Sequence, residues 1–142
     1  MGSKEEAPAP TLARPILLDL SLLRCHERIQ PDLLDRIRNE IRVDGHLKRP
    51  ILVADGDFVI LDGHHRFEAL RQLGARRIPA YVVDYHSETV QVGVWPDASV
   101  RHVTKEEVIR RGKTGNLFPP KTSRHTVRAT VDDHPVPLGD LM

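Results

Sequence analysis

The chain has 142 residues, enough for one domain with a real core that buries roughly 70% of its unfolded surface. Its 21 Lys and Arg against 20 Asp and Glu leave a net charge of +1, which gives no strong electrostatic pull toward nucleic acid or an anionic membrane. A single cysteine excludes an internal disulfide framework and a Cys-based zinc site, the aromatic content of 4% calls for an aliphatic core, and no run approaches the ~20 apolar residues of a membrane span.

Residues 1–13 contain Ala7-Pro8-Ala9-Pro10 and read as a flexible lead-in. They lack the basic-then-apolar build of a signal peptide, so a cytoplasmic protein is expected. Residues 14–142 then form one domain. A first strand falls within residues 15–23, and a polar connection, Arg24-Cys25-His26-Glu27-Arg28, follows it. Pro31 suits the first position of a helix whose face is marked by Leu33, Leu34, Ile37 and Ile41, and Asp44-Gly45 ends it. Residues 50–54 read as a strand, Asp55-Gly56 as a hairpin turn, and residues 58–61 as the returning strand. A helix carrying Phe67, Leu70 and Leu73 toward the core comes next and closes at Gly74. Residues 78–85 and 89–95 read as two further strands. Thr104 and Glu107 make a capping box for a short helix that ends near Gly112. A loop covers residues 115–120, and the last stretch, with Pro135 and Pro137, is a loop or an edge element. The sum is a small mixed α+β domain with its sheet formed mainly by residues 50–95.

The segment with the most chemistry is Asp62-Gly63-His64-His65-Arg66. A glycine loop between a strand and a helix aims backbone N–H groups at one spot, and the helix dipole makes that spot attractive to anions. Gly63 lets backbone approach a phosphate. His64 and His65 can donate to it, and Arg66 can clamp an oxygen. Asp62 is either a helix cap or a ligand of Mg²⁺, which usually takes one or two carboxylates plus phosphate oxygens. The pattern is not GxxxxGK[ST], so this is no P-loop. His64 and His65 are adjacent and point about 100° apart on a helix, which makes a shared metal awkward, and neither HExxH nor CxxC occurs. Glu27 is a solvated turn residue unless it lies opposite the phosphate loop, where it could take the proton of a hydroxyl nucleophile. Lys121-Thr122-Ser123-Arg124-His125 is a basic loop or an anion pocket in which Arg124 pairs with a carboxylate. Trp95, the one tryptophan, fills core or walls a small substrate.

The run from Val59 through Asp62-Gly63-His64-His65-Arg66 to Leu70 resembles the signature of the ParB/sulfiredoxin-like superfamily. Sulfiredoxins carry a reactive cysteine where this chain has His64, which removes sulfur chemistry. The Asp-Gly-His-His-Arg form resembles the free serine kinase branch, whose members phosphorylate L-serine to O-phospho-L-serine. His26-Glu27 falls where that branch has its catalytic Glu, and Trp95 where it has a substrate-side tryptophan. Residues 121–125 resemble its Lys-Thr-Thr-Arg-His element, with Ser123 in place of a threonine. The resemblance covers roughly residues 15–126. It implies a small ParB/sulfiredoxin-like fold and phosphoryl transfer from ADP or ATP, with Mg²⁺, to the hydroxyl of free L-serine or a close analogue. It implies Glu27, Asp62 and His65 as the catalytic set, and Gly63, His64, His65 and Arg66 as nucleotide-binding. Trp95, Lys121, Thr122, Ser123, Arg124 and His125 then hold the amino acid. The alternative is a ParB-type CTP-binding switch without kinase activity. Nucleic acid is not an expected partner.

Overall fold

Aliphatic runs and glycine turns set most of the elements. The computed structural model describes residues 14–129 and 131–142; the expected lead-in over residues 1–13 lies outside them. Strand β1 (Ile16–Asp19) leads through a 3-10 turn (Leu20–Leu22) and the polar connection to helix α1 (Pro31–Asp44). Pro31 stands in the first turn of α1, and Gly45, at φ 76°, closes it. Strands β2 (His46–Leu47), β3 (Ile51–Ala54) and β4 (Ile60–Asp62) precede helix α2 (His64–Gln72). Strands β5 (Arg77–Val83) and β6 (Val90–Val94), helix α3 (Lys105–Thr114), and strands β7 (Ser123–Val127) and β8 (Val136–Pro137) complete the order.

The central sheet runs β1-β5-β3-β4. β5 pairs antiparallel with β1 and parallel with β3, and β3 pairs antiparallel with β4. All four residues of β3 are buried, as an unbroken apolar run in a sheet covered on both faces should be. Ile51 and Val53 pack with α1 and α2, whereas Leu52 and Ala54 pack with Val90 of β6 and Val108 of α3. The result is three layers: the α1–α2 pair, the sheet, and α3 with a β6–β7 ribbon.

The sheet differs from the expected one at both ends. β1 joins it, and residues 90–94 leave it to pair antiparallel with β7. Both edges of β5 are already taken by β1 and β3, and a turn closed by Ser87 N–H on Asp84 C=O (3.0 Å) carries the chain away. The returning strand of the hairpin starts at residue 60, because Phe58 adopts φ 57° and breaks the extended run. Helix α3 runs past Gly112 to Thr114 and closes at Gly115, at φ 78°. Gly112 is inside the helix because a Cβ there would stand 2.6 Å from Cγ2 of Val59. The C-terminal stretch clips onto β2: β8 pairs with it, His134 N–H donates to Lys48 C=O (2.8 Å), and Asp133 pairs with Arg49 (3.1 Å). No helix among the described residues is long and apolar enough to cross a membrane.

Candidate active site

The β4-to-α2 junction is shaped by close packing. Gly63 has φ 113°, and a Cβ there would lie 2.3 Å from Cγ2 of Ile51 on β3. Only glycine lets the loop pass that near the sheet. Gly63, not Asp62, is the helix cap, and no side chain satisfies the first turn. The first intrahelical bond runs from Phe67 N–H to Gly63 C=O (2.9 Å), so the amides of His64, His65 and Arg66 have no intrahelical acceptor. These three residues line a cavity of about 610 Å³, within the range of small-molecule sites. Asp62 is largely exposed, and its Oδ2 accepts from Arg66 Nη2 at 3.3 Å. Arg66 also donates to Arg49 C=O at 3.4 Å. Burial pulls the Arg66 guanidinium below its ordinary value, with Asp62 pulling the other way.

The two histidines have a task the sequence does not announce. His64 Nε2 accepts the His26 N–H at 3.2 Å, and His65 Nε2 accepts the Gln30 N–H at 2.9 Å. A backbone N–H can only donate, so each neutral ring carries its hydrogen on Nδ1. The pair thus anchors the segment bearing Glu27 through its Nε2 atoms. Burial holds His64 neutral, well below its usual value, with His26, His125 and His65 adding to the effect. It lowers His65 too, and the Lys121 ammonium contributes.

Glu27 lines the same cavity as the β4–α2 loop. Phe118 N–H donates to His26 C=O and Arg28 N–H to Phe118 C=O, both at 2.9 Å, which lays residues 26–28 beside Phe118. Two prolines later, Lys121 takes φ 59°, a left-handed conformation costing a non-glycine residue about 1–2 kcal/mol. That conformation accompanies a clasp on the carboxylate. Oε2 accepts the Lys121 N–H at 3.0 Å, and Oε1 accepts the Ser123 N–H at 2.9 Å with the Ser123 hydroxyl also 2.9 Å away. Trp95 closes this end: its Nε1 donates to Ser123 C=O at 3.0 Å. The Lys121 ammonium lies 5.1 Å and the Arg124 guanidinium 4.8 Å from its ring centroid, a cation–π arrangement. Among the described residues, neither cation pairs with a carboxylate.

Thr122 and His125 are turned to protein partners. Thr122 is buried and donates to Pro119 C=O at 2.7 Å. His125 forms part of the cavity wall, with Nε2 2.8 Å from the Tyr85 hydroxyl, and burial pushes it down to about 3. Ser123, Arg124, Lys121, Trp95 and Glu27 do line the cavity with Asp62, Gly63, His64, His65 and Arg66.

Two further groups border the site. His26, fully buried, bonds Ile60 C=O and Ser123 behind the site. The cavity's far end is lined by Leu33, Ile37, Glu40 and Ile41 of α1 and by residues 46–49. Leu33, Ile37 and Ile41 read as a core stripe in sequence; Lys48-Arg49, a basic pair just before a buried strand, was the available signal.

The ParB N-terminal domain family matches residues 16–94. An ATP-dependent L-serine kinase of Staphylothermus marinus is 34% identical over 104 residues, covering 69% of this chain and 41% of the kinase. An ADP-dependent L-serine kinase of Thermococcus kodakarensis is 31% identical over 106 residues, covering 72% of this chain and 43% of the kinase. The chain thus spans about four-tenths of the length of these curated relatives. A free serine kinase solved in complex with AMP shares the fold, with a TM-score of 0.85 at 20% identity over 99% of this chain and 98% of that one.

Proposed function

The chain belongs to the ParB N-terminal domain family, and from that premise we propose that it is a small-molecule kinase. It moves a phosphoryl group from ATP or ADP to the hydroxyl of free L-serine or a close hydroxy amino acid. Residues 14–142 act as one unit, in a cytoplasmic setting. The observation that carries the reading is that one cavity joins the amide-rich start of α2, the Glu27 carboxylate, and two cations beside Trp95 that have no carboxylate partner among the described residues. The kinase names of the relatives support it.

Each residue then has a task. The amides of His64, His65 and Arg66, the Nδ1–H groups of the two histidines and the Arg66 guanidinium hold phosphate oxygens. Leu33, Ile37 and Ile41, with Glu40 at the rim, seat the base. Arg124 and Lys121 take the amino acid's carboxylate, and Trp95 walls its side. Glu27 accepts the hydroxyl's proton as that oxygen bonds to the terminal phosphorus; the bond to the bridging oxygen breaks, and its electron pair leaves with the nucleotide. Asp62 suits Mg²⁺: it is largely exposed, and its Oδ1 has no protein donor among the described residues. Since no group of three or more His, Cys, Asp or Glu exists there to cage a metal, the ion would rely on phosphate oxygens and water. Bound by Asp62, it would neutralise charge on the phosphates.

The test is phosphorus NMR of the protein incubated with Mg²⁺, L-serine, and ADP or ATP separately. A new phosphomonoester with one nucleotide is expected and names the donor. No product with either, across several hydroxy amino acids, refutes the reading. The family match itself favours a second reading, a CTP-binding switch. However, residues 121–125, whose Lys121 and Ser123 amides clasp Glu27, lie beyond the matched span. A gel shift with duplex DNA that depends on CTP would support that alternative.

A further inference from the structure

Glu27 shares its end of the cavity with an unusual proton count. The Ser123 hydroxyl lies 2.9 Å from Glu27 Oε1 and 2.8 Å from His26 Nε2. His26 is fully buried, and its Nδ1 lies 2.8 Å from the Ile60 carbonyl oxygen. A carbonyl only accepts, so Nδ1 carries the ring's hydrogen and Nε2 of the neutral ring is an acceptor. An ionised Glu27 is an acceptor as well. Ser123 has one hydroxyl hydrogen for two short contacts. With Glu27 ionised and His26 neutral, one contact holds no hydrogen, and a buried acceptor facing another lone pair is unfavourable. One added proton on Glu27 Oε1 removes the conflict: Oε1–H donates to the Ser123 oxygen, and Ser123 turns its own hydrogen to Nε2.

We infer that Glu27, Ser123 and His26 take up the substrate's proton as one unit, in which His26, acting through the Ser123 hydroxyl, makes Glu27 a stronger base. This rests on the reading of Glu27 as the base. The proton leaves the substrate oxygen and ends on Glu27 Oε1, from where it donates to the Ser123 oxygen as the Ser123 hydrogen moves to Nε2, so no further co-reactant is needed. Ser123 and His26 are positioning residues in this scheme. His64 from α2 and His125 from β7 face His26, with ring centroids 4.7 and 5.7 Å away. His125 is in turn bonded to Tyr85, over whose ring the Lys105 ammonium lies. The Lys121 N–H donates to Glu27, Arg124 lies over the Trp95 ring in the same cavity, and His65 holds the far end of the Glu27 segment. Burial keeps all three buried rings neutral, His26 at about 4.

His26→Asn tests the unit, since the asparagine amide nitrogen can replace Nδ1 toward Ile60 while Nε2 disappears. Losing the acceptor weakens Glu27 as a base. The acid limb of the pH–rate profile should move down by about one pH unit, and kcat at neutral pH should fall about three- to tenfold. KM for both substrates should stay within about twofold, as for a loss confined to the chemical step. In a Ser123→Ala background, His26→Asn should move the limb no further. A folded His26→Asn protein with an unmoved limb overturns the proposal; so does an equal shift without the hydroxyl. Because His26 is buried, nitrogen NMR of the wild-type ring supplies a readout independent of that variant. The His26 Nε2 resonance should move as Glu27 is protonated and stay put in Ser123→Ala; indifference to Glu27 in the wild type overturns the unit. A wild-type protein with no phosphoryl transfer overturns the kinase reading instead, and the NMR titration still judges the three groups.

Discussion

Replacing Gly63 by alanine puts a methyl group where the β4–α2 loop crosses the sheet. The new Cβ would sit 2.3 Å from Cγ2 and 2.8 Å from Cβ of Ile51, a fully buried residue, at a backbone φ of 113°. The left-handed conformation costs a non-glycine residue about 1–2 kcal/mol, and forcing the overlap apart in a packed core costs about 1–3 kcal/mol more. The total of about 2–5 kcal/mol corresponds to a fall in Tm of about 8–20 °C at roughly 4 °C per kcal/mol. Gly45 supplies the control, since it has φ 76° and nothing within 4 Å of a built Cβ. Gly45→Ala should therefore cost only the conformational part, about 1–2 kcal/mol. Urea and thermal unfolding of both variants measure the difference, and nucleotide binding to Gly63→Ala should weaken as the α2 amides are pushed off the cavity. Equal destabilisation by the two substitutions would refute the close-approach account of Gly63.

Three further outcomes are expected. Glu27→Gln should lower phosphoryl transfer by at least about 100-fold and stability by about 1–2 kcal/mol, because one amide –NH₂ must now face the Lys121 or Ser123 N–H. Near-normal turnover in that variant would remove Glu27 from the chemistry. Arg124→Ala should raise KM for the amino acid more than for the nucleotide, and steady-state kinetics with each substrate varied would expose the reverse pattern. Acid should unfold the protein through its buried imidazoles. The folded-state values of His26 and His125 are depressed to about 4 and about 3. Their stabilising contribution is therefore complete above the unfolded value near 6.5 and is lost as pH falls from there toward the folded values. Each contributes a slope of up to about 1.4 kcal/mol per pH unit in that window. Urea midpoints that do not change between pH 7.5 and pH 5 would contradict the neutral, buried cluster.

What could be read from the sequence was local. Pro31 and Gly45 bound α1, Thr104 and Glu107 cap α3, and the strand–glycine–helix pattern marks the β4–α2 junction, because each depends on residues within one turn or hairpin. Helix α3 runs past Gly112 for a tertiary reason: that glycine is small to admit Val59, not to end a helix. The ribbon of β6 with β7 pairs residues from Val90↔Val127 to Val94↔Ser123, far apart along the chain, so no periodicity points to it. The same holds for the site. The sequence by itself supplied a phosphate-loop candidate, a carboxylate and a basic cluster as three separate segments. Tertiary structure alone decided that Glu27 is clasped by the amides of Lys121 and Ser123, and that His64 and His65 hold its segment from the other side. It also decided that Thr122 and His125 turn to Pro119 and Tyr85. Those outcomes rest on which hydrogen-bond partner lies nearest once the core has packed, a distance between segments that the order of residues along the chain does not encode.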